Sequence, residues 1–395
     1  MEVAKRNVLV LATCQALLFT NNSTLIALNG LVGYALAPDK RLATLPITGW
    51  VVGAALTTFF ASLLMKHIGR RPGFMVGASV GIVGALICSA AIYSGHFWLF
   101  CLGTIVFGVY NAFGQYYRFA AAETGPMEFK SRAISLVIAG GLVGGIIGPT
   151  TSRFTMGLLP TLYLGAYLTL IGILVLVILV LTQLRIPLPS AKEAHEGGRP
   201  LLQIITQPAY IVAVIASGFG YGVMNLLMTA TPLAMGVCGH PYSAAATVIS
   251  WHVIGMFAPS FFTGNLIQRF GVLNVMMAGV ALNLVCVAIA LSGVDVANFW
   301  FALVLLGIGW NFLFVSGTTL LTETYRPEER AKAQGANDLS VFLIMATSSF
   351  TSGLVLEASG WSSLNYLAIP FVAAIGLAVA WLMLRRRALT AVRAV

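Results

Sequence analysis

Charged residues are scarce in this sequence. Aspartate, glutamate, lysine and arginine make up 9% of its 395 residues, whereas hydrophobic residues make up 58%. A soluble domain needs more charge than this to cover its surface. The shortage therefore excludes an ordinary soluble protein and indicates that most of the chain faces lipid or other apolar helices.

Cysteine is also rare, and no metal-binding pattern accompanies it. The five cysteines stand singly in apolar runs, with neither a CxxC pair nor a cluster of His and Asp beside them. We therefore expect no metal and no cofactor. The phosphate-cradling pattern GxxxxGK[ST] is missing as well, so the sequence shows no ATP-binding motif of this kind.

Acidic residues are fewer than basic ones, 12 against 22, and the basic residues keep to every second loop. The loops between hold little more than Lys40 and Arg41. Because cytoplasmic loops of membrane proteins are enriched in Lys and Arg, the net charge of +10 indicates orientation rather than nucleic-acid binding. We expect a multi-pass membrane protein, monomeric, with both termini cytoplasmic.

Twelve apolar runs cross the sequence, each near the 20 residues that a helix needs to span a bilayer. The eighth is expected from Ser243 to Ile267 and the eleventh from Ser340 to Leu356. A polar stretch rich in Pro, Gly and charge divides them six and six. The sequence predicts an all-α membrane protein with one six-helix bundle over 1–182, a cytoplasmic linker over 183–206 and a second bundle over 207–395.

The two halves repeat each other at a nearly constant offset, which is typical of six-plus-six transporters. Ser62-x-Leu64 before Gly69 is echoed by Gly264-x-Leu266 before Gly271. Further matches pair Glu123-Thr124 with Glu323-Thr324 and Asn111 with Asn311.

These motifs resemble the major facilitator superfamily of secondary transporters. The loop after the second span matches the end of its pattern GxLaDRxGRR with Gly69, Arg70 and Arg71, while Lys66 stands where the pattern has aspartate. In the fifth span, Gly144 and Gly148-Pro149 look like the signature of the antiporter branch. The stretch from Gly309 to Asp338 is similar to bacterial members, some associated with riboflavin uptake.

The resemblance implies alternating access around a central site. The expected partners are a small organic solute, protons if transport is proton-coupled, and the lipid bilayer. Proton-coupled efflux is our first expectation, and import of a vitamin-like solute is the alternative. A membrane-embedded enzyme is a remote alternative, because the paired acids or metal cluster that it needs are not visible in the sequence.

Helices one, four, seven and ten line the cavity in that family, and each carries amides here. We therefore expect amides and aromatic side chains to face it; the candidates are Asn22, Asn111, Asn225 and Asn311, with Trp50, Tyr221 and Trp310. Amides that join helix to helix are the alternative. Gln115 and Arg118 could bind an anionic solute, or Arg118 could pair with Glu123. His252 could relay a proton, or bond to a neighbouring helix.

Charged residues near span ends are candidates for a gate. The set comprises Lys66, Gly69, Arg70, Arg71, Glu123, Arg132, Arg269, Glu323 and Asp338. Because Lys66 replaces the usual aspartate and Asp338 is the one acid placed near or inside a span, we expect these two to form a latch. A proton-carrying role for Asp338 is the alternative.

Overall fold

The chain was examined as a computed structural model that describes residues 2–39, 42–43, 45–188 and 198–393. The predicted outer-loop residues Lys40 and Arg41, and the middle of the predicted linker, lie outside the described residues. Over the described ranges the regular secondary structure is entirely helical. An all-α fold is therefore confirmed.

Fourteen α-helices and two short 3-10 turns cover these ranges. The helices are α1 Glu2–Leu36, α2 Leu45–Ile68, α3 Arg70–Ser94, α4 Phe97–Gly114, α5 Tyr117–Ala122, α6 Lys130–Thr155, α7 Leu164–Leu181, α8 Leu201–Ile205, α9 Pro208–Val237, α10 Tyr242–Phe257, α11 Ser260–Phe270, α12 Val272–Ser292, α13 Val296–Leu321 and α14 Arg330–Arg393. The 3-10 turns are Met127–Phe129 and Pro327–Glu329.

Two of the spans are interrupted. The fourth span breaks between α4 and α5, and the eighth bends by 41° between α10 and α11, where Pro259 lacks the N–H that a continuous helix needs.

The helix α14 is long enough for two spans. Its 64 residues would extend roughly 96 Å, three times the hydrocarbon thickness, and Gly360 bends it with a φ of 78°. Among the described residues, ten helices are long and apolar enough to cross a membrane, and the bent pair α10–α11 adds an eleventh span. Division of α14 at Gly360 then gives the predicted twelve.

The chain divides into two compact units. Unit 1 comprises Met1–Pro126, Leu136–Gly197 and Arg330–Leu339, and unit 2 comprises Met127–Ser135, Gly198–Glu329 and Ser340–Val395. The first turns of α14 thus belong with unit 1, and the first turns of α6 with unit 2. The predicted bundle boundaries at 182 and 207 stay a prediction.

Each unit is centred on one helix that packs against its neighbours through glycines. In unit 1, α4 packs on α2 and α3, and a methyl group at Gly53 would collide with the Ile105 carbonyl. In unit 2, α13 packs on α9, α10 and α12, and a methyl group at Gly255 would lie 2.8 Å from the Val304 carbonyl. The sequence repeat therefore corresponds to a repeat in helix packing.

The two ends of the predicted linker are held by hydrogen bonds within their own units. In unit 1 the Asn7 amide donates to the Arg185 carbonyl at 2.8 Å and accepts from the Arg185 N–H at 3.0 Å. In unit 2 the Arg199 guanidinium donates to both oxygens of Glu329, at 2.8 and 2.6 Å. A two-bond contact of this kind fixes orientation as well as distance.

Candidate functional site

A polar network in unit 1 begins where the fourth span is broken. The α-helical pattern stops at Gln115 and Tyr116, and the Gln115 carbonyl accepts a bond from the Arg118 side chain at 2.7 Å. Lipid offers no hydrogen-bonding groups, so a backbone carbonyl at membrane depth that makes no bond within its helix needs a donor from elsewhere in the protein. The Arg118 side chain supplies that donor at this break.

Side-chain amides connect this break to α1. Asn22 donates to the Asn111 Oδ1 at 2.9 Å, and Gln115 approaches the same oxygen at 3.4 Å. The Gln115 Oε1 then accepts from Arg118 at 3.0 Å. Four polar side chains from α1, the end of α4 and α5 form one continuous line.

Asp338 completes the line from the first turns of α14. Its Oδ1 lies 2.6 Å from the Arg118 Nη2 and also accepts from the Asn337 amide at 2.8 Å. The side chains of Arg118 and Asp338 are only 5% and 2% exposed, so water screens the pair little. The Phe119 ring lies 4.5 Å from the guanidinium carbon and adds a cation–π contact.

Asp338 therefore has a partner other than the expected one. Its ion pair is with Arg118, not with Lys66, and Arg118 in turn is not paired with Glu123 as the alternative had it. The physical reason is burial: a guanidinium inside the protein requires a carboxylate nearby, whereas Lys66 at the end of α2 is partly exposed to solvent.

Glu123 instead joins a second ionic cluster in unit 1. Arg70 contacts its two oxygens at 3.1 and 2.5 Å and also donates to Gln334 at 2.6 Å, while Arg330 lies 3.4 Å away. Burial alone would raise the pKa of Glu123, but the charges of Arg70 and Arg330 and the hydrogen bonds from Arg70 and Gln334 outweigh it and hold that pKa below its ordinary value. Gln334 and Arg330 were missed as site residues in the sequence because only the fold brings them to Glu123.

The repeated loop glycines have a common conformation. Gly69 and Gly271 have φ values of 89° and 85°, a region that side chains disfavour. Arg71 is exposed beside Gly69. In unit 2, Arg269 stands at the position that His67 has in the repeat, and it lies over the Phe270 ring, 5.3 Å from its centre.

The remaining gate candidates lie in unit 2. Glu323 pairs with Arg386 at 2.7 Å on the surface, where both are about 40% exposed. The backbone of Arg132 packs closely against Gly264, since a methyl group at Gly264 would lie 2.6 Å from the Arg132 Cα. The exposed pair of Glu323 and Arg386 adds little to stability.

Glycines of the helix-five motif bring α6 against α1. A methyl group at Gly144 would strike the Ala16 carbonyl, and one at Gly148 would lie 2.6 Å from the Ser23 Cβ. Thr24 donates to the Gly148 carbonyl at 3.0 Å, next to Pro149. The motif therefore permits close packing of these two helices.

Two of the expected cavity amides bond to neighbouring helices in unit 2. Asn311 is fully buried and donates to the Met256 carbonyl at 2.6 Å and the Ser260 hydroxyl at 2.5 Å, across the bend between α10 and α11. Asn225 donates to the Met345 carbonyl and the Ser348 hydroxyl, both at 3.1 Å. These contacts correspond to the alternative, in which amides join helix to helix.

His252 likewise bonds to a neighbouring helix. It is fully buried, and its Nδ1 lies 2.7 Å from the Leu303 carbonyl of α13. A carbonyl accepts only, so Nδ1 carries the proton. Nothing among its hydrogen bonds leads a proton onward, which again matches the alternative rather than the relay.

Aromatic candidates do come together in unit 2. Tyr221 meets Trp310 edge-on at 5.4 Å, Trp310 stacks on Phe314 with centroids 5.0 Å apart and planes 13° from parallel, and Phe257 lies 5.8 Å from Trp310. The Trp310 indole N–H is buried, and no described residue accepts a hydrogen bond from it. Trp50 in unit 1 is 9% exposed, and its indole N–H likewise has no acceptor within the described ranges.

Twelve spans, a repeated packing of helices and a buried polar network define a multi-pass membrane transporter. The chain matches the family model of the Major Facilitator Superfamily over residues 11–259 and 215–394, and it belongs to that family.

Relatives and solved structures agree with this assignment. The chain is 43% identical over 373 residues to the "Riboflavin transporter RfnT" of Brucella anthropi, covering 94% of each chain. Among crystal structures, the superfamily transporter FucP in its outward conformation is similar with a TM-score of 0.77, 16% identity and coverage of 95% and 98%. The human organic anion transporter MFSD10 gives a TM-score of 0.78, 13% identity and coverage of 95% and 99%. These two likenesses show the fold alone.

Proposed function

We propose that this protein carries riboflavin, or a flavin closely related to it, into the cell across a bacterial inner membrane. The observation that carries the proposal is the 43% identity to a riboflavin transporter over 94% of both chains. Two features of this chain support it: an aromatic cluster suited to a planar ring, and a buried network of amides suited to hydroxyl groups.

The transporter is expected to act as a monomer with both termini cytoplasmic and to move its solute by alternating access. Proton-coupled efflux of a planar solute is the second candidate. It is favoured by the Gly144 and Gly148-Pro149 motif, which resembles the antiporter signature. The glycines of this motif allow α6 to pack closely against α1.

Uptake of a flavin by energised cells tests the proposal. Cells that express the protein are compared with cells that lack it, first with labelled riboflavin and then with planar cationic dyes, each with and without a protonophore. Protein-dependent accumulation of riboflavin supports import. Protein-dependent exclusion of dyes that ceases with the protonophore would overturn the import proposal in favour of coupled efflux.

A further inference from the structure

Two buried hydrogen-bond acceptors of the polar network in unit 1 have no partner among the described residues. They are Asn22 Oδ1 at one end of the line and Asp338 Oδ2 at the other. Arg118 bonds to its neighbours through its other nitrogens, but its buried Nε–H has no acceptor among those residues. Asn22 is 6% exposed and Asp338 is 2% exposed. A buried polar atom that makes no hydrogen bond is costly, so native proteins seldom leave several in one network.

Two open acceptors and one open donor suit a hydroxyl group, which both donates and accepts. An ionised phosphate or carboxylate only accepts, so it would leave both open acceptors without a donor. The network lies along the fourth span beside its break at Gln115, a position where irregular backbone in a membrane protein commonly adjoins a binding site.

The charge in this network is already balanced. Arg118 carries the positive charge and Asp338 the negative one, with 2.6 Å between Arg118 Nη2 and Asp338 Oδ1. An incoming anion would find both terminal nitrogens of the Arg118 guanidinium already bonded, and at the remaining Nε–H it would face the nearby carboxylate of Asp338 at low dielectric. An uncharged solute meets no such repulsion.

We propose that the network from Asn22 through Asn111, Gln115 and Arg118 to Asp338 binds the uncharged, hydroxyl-bearing part of the solute, and that Asp338 excludes anionic forms of that solute by occupying Arg118. The proposal rests on the proposed function, under which the hydroxyl-bearing part is the ribityl chain of a flavin. The excluded anion is then the flavin phosphate.

Competition for uptake measures the charge selection. In wild-type protein, a hundredfold excess of riboflavin phosphate should leave riboflavin uptake unchanged. Asp338→Asn removes the negative charge at constant size, and the phosphate should then compete at least tenfold better. The double variant Arg118→Gln/Asp338→Asn should lose that competition again. Glu357→Gln, an exposed acid of the same helix, is the matched control.

Competition in Asp338→Asn no stronger than in wild type would overturn the charge selection. The hydroxyl contact is tested separately with Asn22→Ala, which should weaken the binding of riboflavin severalfold but leave lumichrome, the flavin ring without the ribityl chain, unaffected. Equal weakening for both ligands would overturn that part.

Thermal unfolding of the purified protein with and without inorganic phosphate keeps the proposal testable without any flavin transport. Asp338→Asn leaves a buried guanidinium unbalanced, so its melting temperature should fall and recover with phosphate, while wild type and the double variant should not respond. If wild type fails to carry riboflavin, the proposed function fails, yet this series still decides the role of Asp338. Equal phosphate responses in all three proteins would refute it.

Discussion

Asn111 and Asn311 occupy equivalent places in the repeat, yet their amides bind different partners. Asn111 accepts from Asn22 in α1, while Asn311 donates across the bend that follows Phe257 in α10. The Met256 carbonyl and the Ser260 hydroxyl at that bend both receive a hydrogen bond from Asn311. One amide thus serves a polar network and the other stabilises a bent helix.

Asn311→Ala should therefore destabilise unit 2. The Asn311 amide is fully buried and makes three hydrogen bonds, with the Met256 carbonyl and the Ser260 and Thr263 hydroxyls. Its removal should lower the free energy of unfolding by about 1–3 kcal/mol. Thermal unfolding in detergent measures it. Asn274→Ala, at an exposed asparagine of α12, is the control and should change stability by no more than about 0.5 kcal/mol. Equal losses in both variants would contradict the role at the bend.

Trp310→Phe should weaken flavin binding. The substitution keeps a ring in the aromatic cluster and removes the buried indole N–H that has no acceptor. If that N–H donates to the solute, its loss should weaken binding about 2- to 10-fold. Quenching of flavin fluorescence measures the affinity. Trp251→Phe, at a tryptophan that is 44% exposed, should leave it unchanged, and an unchanged affinity in Trp310→Phe would remove the indole from the site.

The sequence could predict which polar residues lie within the membrane spans, but it could not predict which side chains they contact. The sequence singled out Asn22, Asn111, Gln115, Arg118 and Asp338 because polar groups in apolar runs are costly. That Arg118 meets Asp338 depends on the path of a chain 220 residues long between them, which no local pattern encodes.

The helical elements were predictable in number and less so in extent. Apolar length gives twelve spans, but the eleventh begins at Arg330 rather than at the expected Ser340. Five of those ten extra residues are polar or charged: Arg330, Lys332, Gln334, Asn337 and Asp338. The segment has hydrogen-bond partners in unit 1; Ser62, for instance, donates to the Ala331 carbonyl at 2.9 Å. Hydropathy measures how apolar a segment is, so it cannot reveal hydrogen-bond partners of this kind.

One departure from the family pattern has an explanation at the scale of helix contacts. Ser62 stands where the loop motif has glycine, and its Cβ would lie 3.3 Å from a methyl group at Gly335 of α14. In unit 2 the residues are reversed: Gly264 of α11 receives the Ser135 hydroxyl of α6, with its N–H donating at 3.0 Å. Serine on one helix is matched by glycine on the other in both units.

Gly360→Ala should disturb the bend in α14. Its φ of 78° strains any side chain, although the space around it is open. With a ψ of −178°, Gly360 lies in a backbone region that is nearly restricted to glycine, and an alanine there costs about 1–3 kcal/mol, so the variant should unfold at a lower temperature. Gly353→Ala places the same methyl group in open space in the same helix and should be neutral or stabilising. If both variants behave alike, the bend does not depend on glycine.

At the scale of the whole molecule, residues far apart in the chain complete each unit. Arg70, Glu123, Arg330 and Gln334 form one cluster of unit 1 although up to 264 positions separate them. The repeat could be predicted from the sequence, because duplicated motifs survive in step. The membership of residues 330–339 in unit 1 could not, because they follow the linker in the chain.

The cluster around Glu123 should make stability depend on pH. The pKa of Glu123 is lowered in the folded protein, so its contribution is fully present above the ordinary value of 4.5 and is lost as pH falls through the lowered value. Glu123→Gln should be less stable than wild type at pH 7, and the difference should shrink below pH 4.5. Thermal unfolding across pH measures it. Glu323→Gln, from the exposed pair, should show little difference at any pH.

The distribution of short segments between the units has a consequence for fragments of the chain. A cut inside the linker would separate residues 330–339 from the rest of unit 1, and residues 127–135 from the rest of unit 2. Asn7 would still hold Arg185, and Glu329 would still hold Arg199. Neither fragment alone would contain all the residues of either unit. We therefore expect each unit to become complete only when both fragments are present in the same cell.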